Sequence, residues 1–201
     1  MRFLLSSLVL VLVSCGSYPK NQNFMISDTE EVQINNPYFS DSSQDYIYKA
    51  DIKVLKKSFS GIFIVKKMGD KHHRIVFTTE MGNKLFDFEF LDENFKINHI
   101  LPEMDKKILI NTLKYDFFAL IKQNSILKNS YSDGELKIMQ TELLNKNHFY
   151  LIENSRLTKI VRVSNGKEKV TFLFSGINDN IATDINIQHH NIKLNIHLKK
   201  L

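Results

Sequence analysis

The histidines are the side chains of this sequence with the widest chemical scope, because a neutral imidazole can ligate a metal or take up a proton near neutral pH. The chain has seven, and four of them form the adjacent pairs His72-His73 and His189-His190. Neighbouring side chains of an extended chain point to opposite faces, so neither pair can chelate one metal as a unit. We favour an interpretation in which the first pair lies in a polar turn and the others are half-exposed strand residues. The alternative is a metal site in which four histidines converge, His99, His148, His190 and His197.

Nucleophilic or acid–base catalysis has little support in the sequence. No Gly-x-Ser-x-Gly elbow occurs, and the seven glycines form no phosphate-binding loop. Asp87 and Glu89 alternate with phenylalanines, so we interpret them as the solvated face of a strand rather than as an acid and a base. We therefore predict a protein that is not an enzyme, with no catalytic residue, no metal and no cofactor. A hydrolase would require a convergent polar cleft.

Cys15 is the only cysteine, and an apolar run precedes it. Arg2 is followed by an apolar stretch, residues 4–13, that is broken only by Ser6 and Ser7. This pattern is typical of a signal peptide, and the stretch is shorter than the roughly 20 residues needed to span a bilayer. Residues 12–15, LVSC, are similar to a bacterial lipobox, whose cysteine is lipidated and becomes the first mature residue. The alternatives are an ordinary cleaved signal or a buried apolar segment. We predict a lipoprotein signal peptide over residues 1–14 and a membrane anchor on Cys15.

Composition divides the remaining chain into a tether and one domain. Residues 15–49 are rich in Asn, Ser and Asp and show no apolar period, which predicts a flexible tether, although Tyr38 and Phe39 could dock on the domain. Residues 50–201 suffice for one globular domain, and we expect a monomer. The formal net charge of +5 is spread over single or paired lysines without interleaved aromatic residues, so we expect no nucleic-acid partner.

The dominant period after residue 50 is two, which predicts antiparallel strands. We predict a mainly β (α+β) fold, an unclosed antiparallel β-barrel of about eight to ten strands with one main covering helix over residues 105–123. Asp105 is the expected helix cap. The apolar positions change parity near residues 188–190, so we predict a bulge or break there.

An aromatic strand face under one amphipathic helix has two physical uses. The helix can fill the concave side and give an inert core, or it can leave space for an apolar ligand. The residues that would line such a space are Phe77, Phe86, Phe88, Phe90, Leu113 and Phe117.

Residues 60–90, SGIFIVKKMGDKHHRIVFTTEMGNKLFDFEF, resemble the outer-membrane lipoprotein-localisation receptor family (LolB-like), within the LolA/LolB-like lipoprotein carrier superfamily. The resemblance rests on four features in this order: a glycine-led strand, an Arg-led strand, a Thr-x-x-hydrophobic-Gly turn and an outgoing strand. Glu80 stands where the family often has proline, and the family's C-terminal tryptophan is missing. The Asn-, Lys- and Ile-rich composition is similar to that of Bacteroidota lipoproteins of unassigned function.

The resemblance implies an open barrel with an apolar cavity for acyl chains and a protruding turn residue, here Met81, that assists membrane insertion. It also implies a lipid-anchored outer-membrane protein that faces the periplasm and binds acyl chains or another apolar ligand in lipoprotein sorting. Acylated lipoproteins or a periplasmic carrier would be its partners. Two alternatives remain at this stage: Met81 fills a hairpin end, or the whole fold is a cavity-free platform for interaction.

Overall fold

The computed structural model of the protein describes residues 17–201, so the predicted signal peptide and Cys15 lie outside the described residues. Within these described residues, two helices and fifteen strands follow one another. They are α1 (Tyr18–Asn21), β1 (Met25–Ile26), β2 (Gln33–Asn35), β3 (Asp45–Val54), β4 (Lys57–Gly69), β5 (His72–Thr78), β6 (Lys84–Leu91), β7 (Asn94–Ile100), α2 (Lys107–Ile121), β8 (Asn124–Ile126), β9 (Asn129–Asp133), β10 (Leu136–Leu143), β11 (Lys146–Glu153), β12 (Arg156–Ser164), β13 (Lys167–Asn178), β14 (Ile181–His189) and β15 (Leu194–Lys200).

One antiparallel sheet holds 13 strands in the order β1-β9-β10-β11-β12-β13-β14-β15-β3-β4-β5-β6-β7, and β2 pairs separately with β8. The two edge strands, β1 and β7, do not pair with each other among the described residues, so the sheet is unclosed. The predicted fold class, a mainly β open barrel with one main helix, is confirmed. The predicted number of strands is too low for residues 17–201. Three of the strands missed, β1, β2 and β8, are too short to show a period of two.

The strands bury one face under α2, which we call the inner face. In β6 the phenylalanines at positions 86, 88 and 90 are buried there, as their alternation with acidic residues predicts. The main core cluster joins this face to α2, and a smaller cluster under α1 lies on the outer face of β10, β11 and β12. The predicted ligand site therefore lies between the inner face and α2.

Helix α2 is shorter than predicted by two residues at each end. Its buried side chains include Leu109, Leu113 and Phe117, which recur every four residues as a helix with one apolar face requires. The prediction that Asp105 caps the helix is wrong: Lys106 is the N-cap residue, and its side chain makes no capping hydrogen bond. Packing on the sheet, rather than capping, therefore holds this helix in place.

The C-terminal change of parity is a break between two strands. β14 ends at His189, and β15 begins at Leu194 after a four-residue connection. A break was predicted at residues 188–190, and it is confirmed there because β14 ends at His189. The connection lets both strands place their apolar residues on the inner face.

The predicted flexible tether needs correction, because its described part packs on the sheet. Tyr38 is buried and stacks on Phe174 with 4.3 Å between ring centroids. The side-chain amide of Asn36 donates to the carbonyl of Leu120 in α2 at 2.9 Å, and β3 begins inside the segment assigned to the tether. No apolar period is visible before β3 because α1, β1 and β2 are only two to four residues long, and Asn36 and Tyr38 pack as single side chains.

Candidate functional site

The six residues predicted to line a ligand space lie together on the inner face and on α2. Each of them is at most 1% exposed, and the site they form is filled by their own side chains. The Phe117 ring lies 5.3 Å from that of Phe63 and 5.6 Å from that of Phe86, between centroids. Phe86 stacks on Phe88 at 4.5 Å. The inner face is thus an aromatic core that leaves no room for an acyl chain while α2 stays in this position.

A small cavity borders this core at the C-terminal end of α2. Its volume is about 70 Å³, whereas ligand pockets usually measure about 300–1,000 Å³. Phe90 and Phe118 form its apolar wall, and Lys122 and Asp92 close it with an ion pair of 3.0 Å. The cavity is too small for a lipid, but it marks a place where the contact between α2 and the sheet is incomplete.

A buried charged residue fastens the middle of α2 to the sheet. The Asp116 carboxylate accepts a hydrogen bond from Arg162 Nη1 at 3.2 Å and one from His189 Nε2 at 2.7 Å. The Asp116 and His189 side chains are almost fully buried, and that of Arg162 is largely so. We call these three residues the latch. Both charged oxygens have partners, so the burial of Asp116 is compensated only while α2 stays docked.

The sheet register places the two basic latch residues in one row. Val170 of β13 lies opposite both Arg162 of β12 and His189 of β14, so the two side chains flank it on the inner face. The latch was not among the predicted sites. The available signal was Asp116 itself, which stands between Leu113 and Phe117 on the apolar face of the predicted helix.

The predicted roles of the histidines need correction, since three of them are buried. His73 and His189 point inward and their neighbours outward, where His72 bonds Glu89 and His190 bonds Thr171. His73 lies in β5, not in a turn. The four histidines that could have converged have separate partners, and no three His, Cys, Asp or Glu side chains within residues 17–201 are arranged to hold a metal.

Asp87 also differs from its predicted place on a solvated face. Arg74 donates hydrogen bonds to both carboxylate oxygens of Asp87, from Nε at 2.9 Å and from Nη2 at 2.7 Å, and Lys84 adds an ion pair of 2.8 Å. The Arg74 hydrogen bonds hold the pKa of Asp87 well below its usual range. A carboxylate kept ionised between two cations stabilises the outer face and is unsuited to donate a proton.

We expect the protein to lose stability as the pH falls from about 6.5 to 4. Burial lowers the pKa of His148 to about 4; its Nδ1 donates to the carbonyl of Lys146 at 2.9 Å, and its Nε2 has no partner among the described residues. An unfolded imidazole titrates near 6.5, so the unfolded state binds more protons in this window. The buried, neutral imidazole thus stabilises the folded state above pH 6.5, and this stabilisation is lost as the pH falls toward 4. The loss is on the order of 2–3 kcal/mol for this residue.

Urea unfolding at several pH values measures this effect. His148→Asn keeps a donor toward the Lys146 carbonyl and should flatten the dependence of the unfolding free energy on pH by about one proton. The same change at the exposed, edge-strand His99 is the control for the substitution itself and should change the free energy of unfolding by less than about 1 kcal/mol. Equal slopes in wild type and His148→Asn would contradict the assignment.

Met81 lies at the tip of the β5–β6 connection and is 92% exposed. The connection is ordered by hydrogen bonds between the backbones of Thr79 and Asn83 at 2.8 Å and of Gly82 and Thr79 at 2.9 Å. Lys49 and Glu80 add an ion pair of 3.0 Å beside it. Met81 therefore does not fill the hairpin end, and its predicted role in membrane insertion has the exposure that such a role requires.

Gly61 of β4 is needed for the close approach of β5 just before this connection. A Cβ at position 61 would lie 1.9 Å from the carbonyl oxygen of Thr78. We expect Gly61→Ala to lower the free energy of unfolding by about 1–3 kcal/mol, because backbone atoms must shift. Gly69→Ala, in the same strand with nothing within 4 Å, is the control and should change it by less than about 1 kcal/mol. Thermal and urea unfolding of both variants would test this, and equal losses would contradict it.

Comparisons with known proteins support the fold. The structure is similar to a LolA superfamily protein from Nitrosomonas europaea, with a TM-score of 0.54 and 8% identity over 83% of this chain and 88% of that chain. The structure is also similar to a DUF1329 family protein from Desulfovibrio piger, with a TM-score of 0.45 and 11% identity over 80% of this chain and 85% of that chain. A candidate outer membrane lipoprotein-sorting domain from Vibrio parahaemolyticus matches with a TM-score of 0.40 and 8% identity over 78% of this chain and 83% of that chain. Neither of these two similarities carries an argument about the fold. The first similarity shows a shared fold.

No protein-family model matches the sequence, and no curated protein sequence matches it. Within residues 17–201, no helix is long and apolar enough to cross a membrane.

Proposed function

We propose that the chain is an outer-membrane lipoprotein, anchored through Cys15 and facing the periplasm, that binds an acyl chain or another apolar ligand beneath α2. The supporting observation is the construction of the inner face, an aromatic surface covered by a single helix. The shared LolA superfamily fold and the lipobox-like LVSC support the same proposal. No catalytic step is part of this function.

Ligand binding requires α2 to move, because the inner face is filled when the helix is docked. The aromatic surface beneath it would then become a groove for a flexible chain, and burial of apolar surface contributes about 25 cal/mol per Å² before the costs of association. The latch opposes this movement, since undocking leaves the buried Arg162 and His189 without their carboxylate. The docked state is thus the ligand-free state of the protein.

Lipoprotein sorting or insertion is the process that this activity fits best. The exposed Met81 would enter the membrane interface while an acyl chain passes between the groove and the bilayer. Acylated lipoproteins, or a periplasmic carrier that delivers them, are the partners implied. Met81→Asp should leave the unfolding free energy unchanged and impair lipoprotein insertion into vesicles; unimpaired insertion would remove Met81 from the mechanism.

A binding titration tests the proposal. The mature chain with Cys15→Ser is titrated with a fluorescent fatty-acyl probe and with an acylated peptide. Asp116→Asn keeps the shape of the latch residue but removes its charge, so the undocked state should become more populated and the probe should bind more tightly. Asp184→Asn, which alters an exposed pair with His197 on the outer face at 2.8 Å, is the matched control and should bind like wild type.

The outcomes separate the possible binding sites. Saturable binding that tightens only in Asp116→Asn supports entry beneath α2. Binding of equal strength in all three proteins places the probe on the outer surface and contradicts the proposed site. The absence of saturable binding in wild type and in Asp116→Asn contradicts ligand binding altogether.

A second candidate is favoured by the filled inner face. In this function the same lipoprotein is a rigid, cavity-free platform for interaction with another envelope component. Exposed apolar residues near the β1 edge, at positions 25, 26, 32 and 126, offer a surface for such contact. The negative titration described above would select this function.

A further inference from the structure

The five hairpin connections at one end of the large sheet share a chemical character. In an antiparallel sheet successive connections alternate between the two ends, so the strand order assigns each one to an end. We call one end the basic rim; its connections are residues 55–56, 79–83, 144–145, 165–166 and 190–193. The opposite end, the acidic rim, has residues 70–71, 92–93, 134–135, 154–155 and 179–180.

The balance of charge differs between the two rims: the basic rim contains one acidic residue, Glu80, and the acidic rim contains one basic residue, Lys71. Every connection of the basic rim contains a lysine or is followed directly by one, at positions 56, 84, 146, 167 and 193. Four connections of the acidic rim contain Asp or Glu, and the fifth follows Glu153. Lys56, Lys167 and Lys193 are exposed and form no ion pair with a carboxylate in the described part of the chain. These three charges are therefore available to an external anion.

Apolar side chains accompany the lysines on the basic rim. Leu55 is 75% exposed, and Ile192 and Met81 are exposed as well. Leu55 also has a left-handed backbone (φ 55°), a conformation that disfavours branched side chains. The turn residues with positive φ on the acidic rim are polar, for example Lys71 and Asp179, or glycine, at position 134. Folding alone does not account for an exposed leucine in a strained turn.

Two of these connections lie side by side and form one patch. The backbone amide of Leu55 donates to the carbonyl of Lys193 at 2.8 Å. This bond places Leu55 and Lys56 next to Ile192 and Lys193. The patch combines two exposed apolar side chains with two free ammonium groups, the pairing that suits the boundary between lipid headgroups and acyl chains.

The chain enters the described structure at the same rim. The Tyr18 hydroxyl donates to Glu168 Oε1 at 2.7 Å, and the Asn21 side chain donates to the carbonyl of Gly166 at 3.1 Å. Tyr18 follows Cys15 after three residue steps, a span of about 11 Å at full extension. A lipid on Cys15 would hold this rim, and not the acidic one, close to the bilayer.

We propose that the basic rim is a docking surface for an anionic lipid bilayer. Lys56, Lys167 and Lys193 bind headgroup phosphates, and Leu55 and Ile192 enter the interface. The acidic rim then faces away from the membrane, which gives the anchored domain one defined orientation. This inference goes beyond the proposed function, since it holds whether or not the inner face binds a ligand.

Vesicle co-sedimentation of the mature chain with Cys15→Ser tests the docking surface without the anchor. We expect binding to vesicles that contain phosphatidylglycerol, little binding to phosphatidylcholine alone, and weakening at high salt. Lys56→Glu/Lys193→Glu should reduce the partition coefficient roughly tenfold or more. Lys71→Glu/Arg156→Glu makes the same change of net charge on the acidic rim and should bind like wild type. Equal losses in both variants would show unspecific attraction, and no binding by wild type would likewise overturn the proposal.

Leu55→Asn isolates the apolar contribution. Asparagine tolerates the left-handed turn, so the melting temperature should not fall, whereas vesicle binding at high salt should weaken several-fold. Unchanged binding by Leu55→Asn at high salt would contradict insertion of the rim into the interface. Ligand titrations do not enter this test, so its failure would leave the proposed function untouched.

Discussion

Asp116→Ala should destabilise the protein by about 3–5 kcal/mol, one of the largest effects expected of a single substitution in this chain. The change removes the shared partner of Arg162 and His189, whose side chains are 13% and 1% exposed. A buried guanidinium without a carboxylate loses its compensation, and the protein must either hydrate it or undock α2. Equilibrium urea unfolding measures the loss.

A matched substitution separates the latch from an ordinary ion pair. Asp184 pairs with His197 at 2.8 Å, and both side chains are well exposed. Asp184→Ala should therefore cost less than about 1 kcal/mol. Similar losses in the two variants would show that the latch does not stabilise the docking of α2.

Phe117→Ala should lower the free energy of unfolding by about 3–5 kcal/mol, because it opens a cavity at the centre of the aromatic core. Phe117 is fully buried, and its ring lies within 6.4 Å of those of Phe63, Phe86 and Phe88. Calorimetric and urea unfolding measure the loss. A small apolar molecule should then partly restore stability, since a dry apolar cavity can bind one.

Ile108→Ala is the control for this second prediction. Ile108 lies on the same helix but is 78% exposed, and alanine is the better helix former, so the change should stay within about 0.5 kcal/mol. A loss below about 1 kcal/mol for Phe117→Ala would contradict a closely packed inner face.

The fold was predictable because the apolar residues of the long strands and of α2 recur with the period of their own secondary structure. The alternation of phenylalanine and acidic residues in β6 and the four-residue spacing of Leu109, Leu113 and Phe117 each follow from one buried face. These patterns also identify the inner face. They do not show whether that face is hollow, because the packing of rings from distant strands depends on how the sheet curls.

The features that could not be predicted from the sequence are those that depend on contacts between residues far apart in the chain. Asp116 meets Arg162 and His189 only after β12 and β14 are brought together by β13. Asn36 and Tyr38 pack through single side chains and so resemble a tether in the sequence. The charge difference between the two rims likewise emerges only when the hairpins are assigned to ends of the sheet.

The central claim is that an apolar chain enters beneath α2. NMR of the mature chain with Cys15→Ser, labelled on its phenylalanine rings and titrated with a saturated fatty acid, tests it most directly. The rings of Phe117, Phe86 and Phe63 should shift together and saturate, while the amides of α2 exchange faster with solvent. Shifts confined to residues of the outer surface, or no shifts at all, would contradict the claim and favour the cavity-free platform.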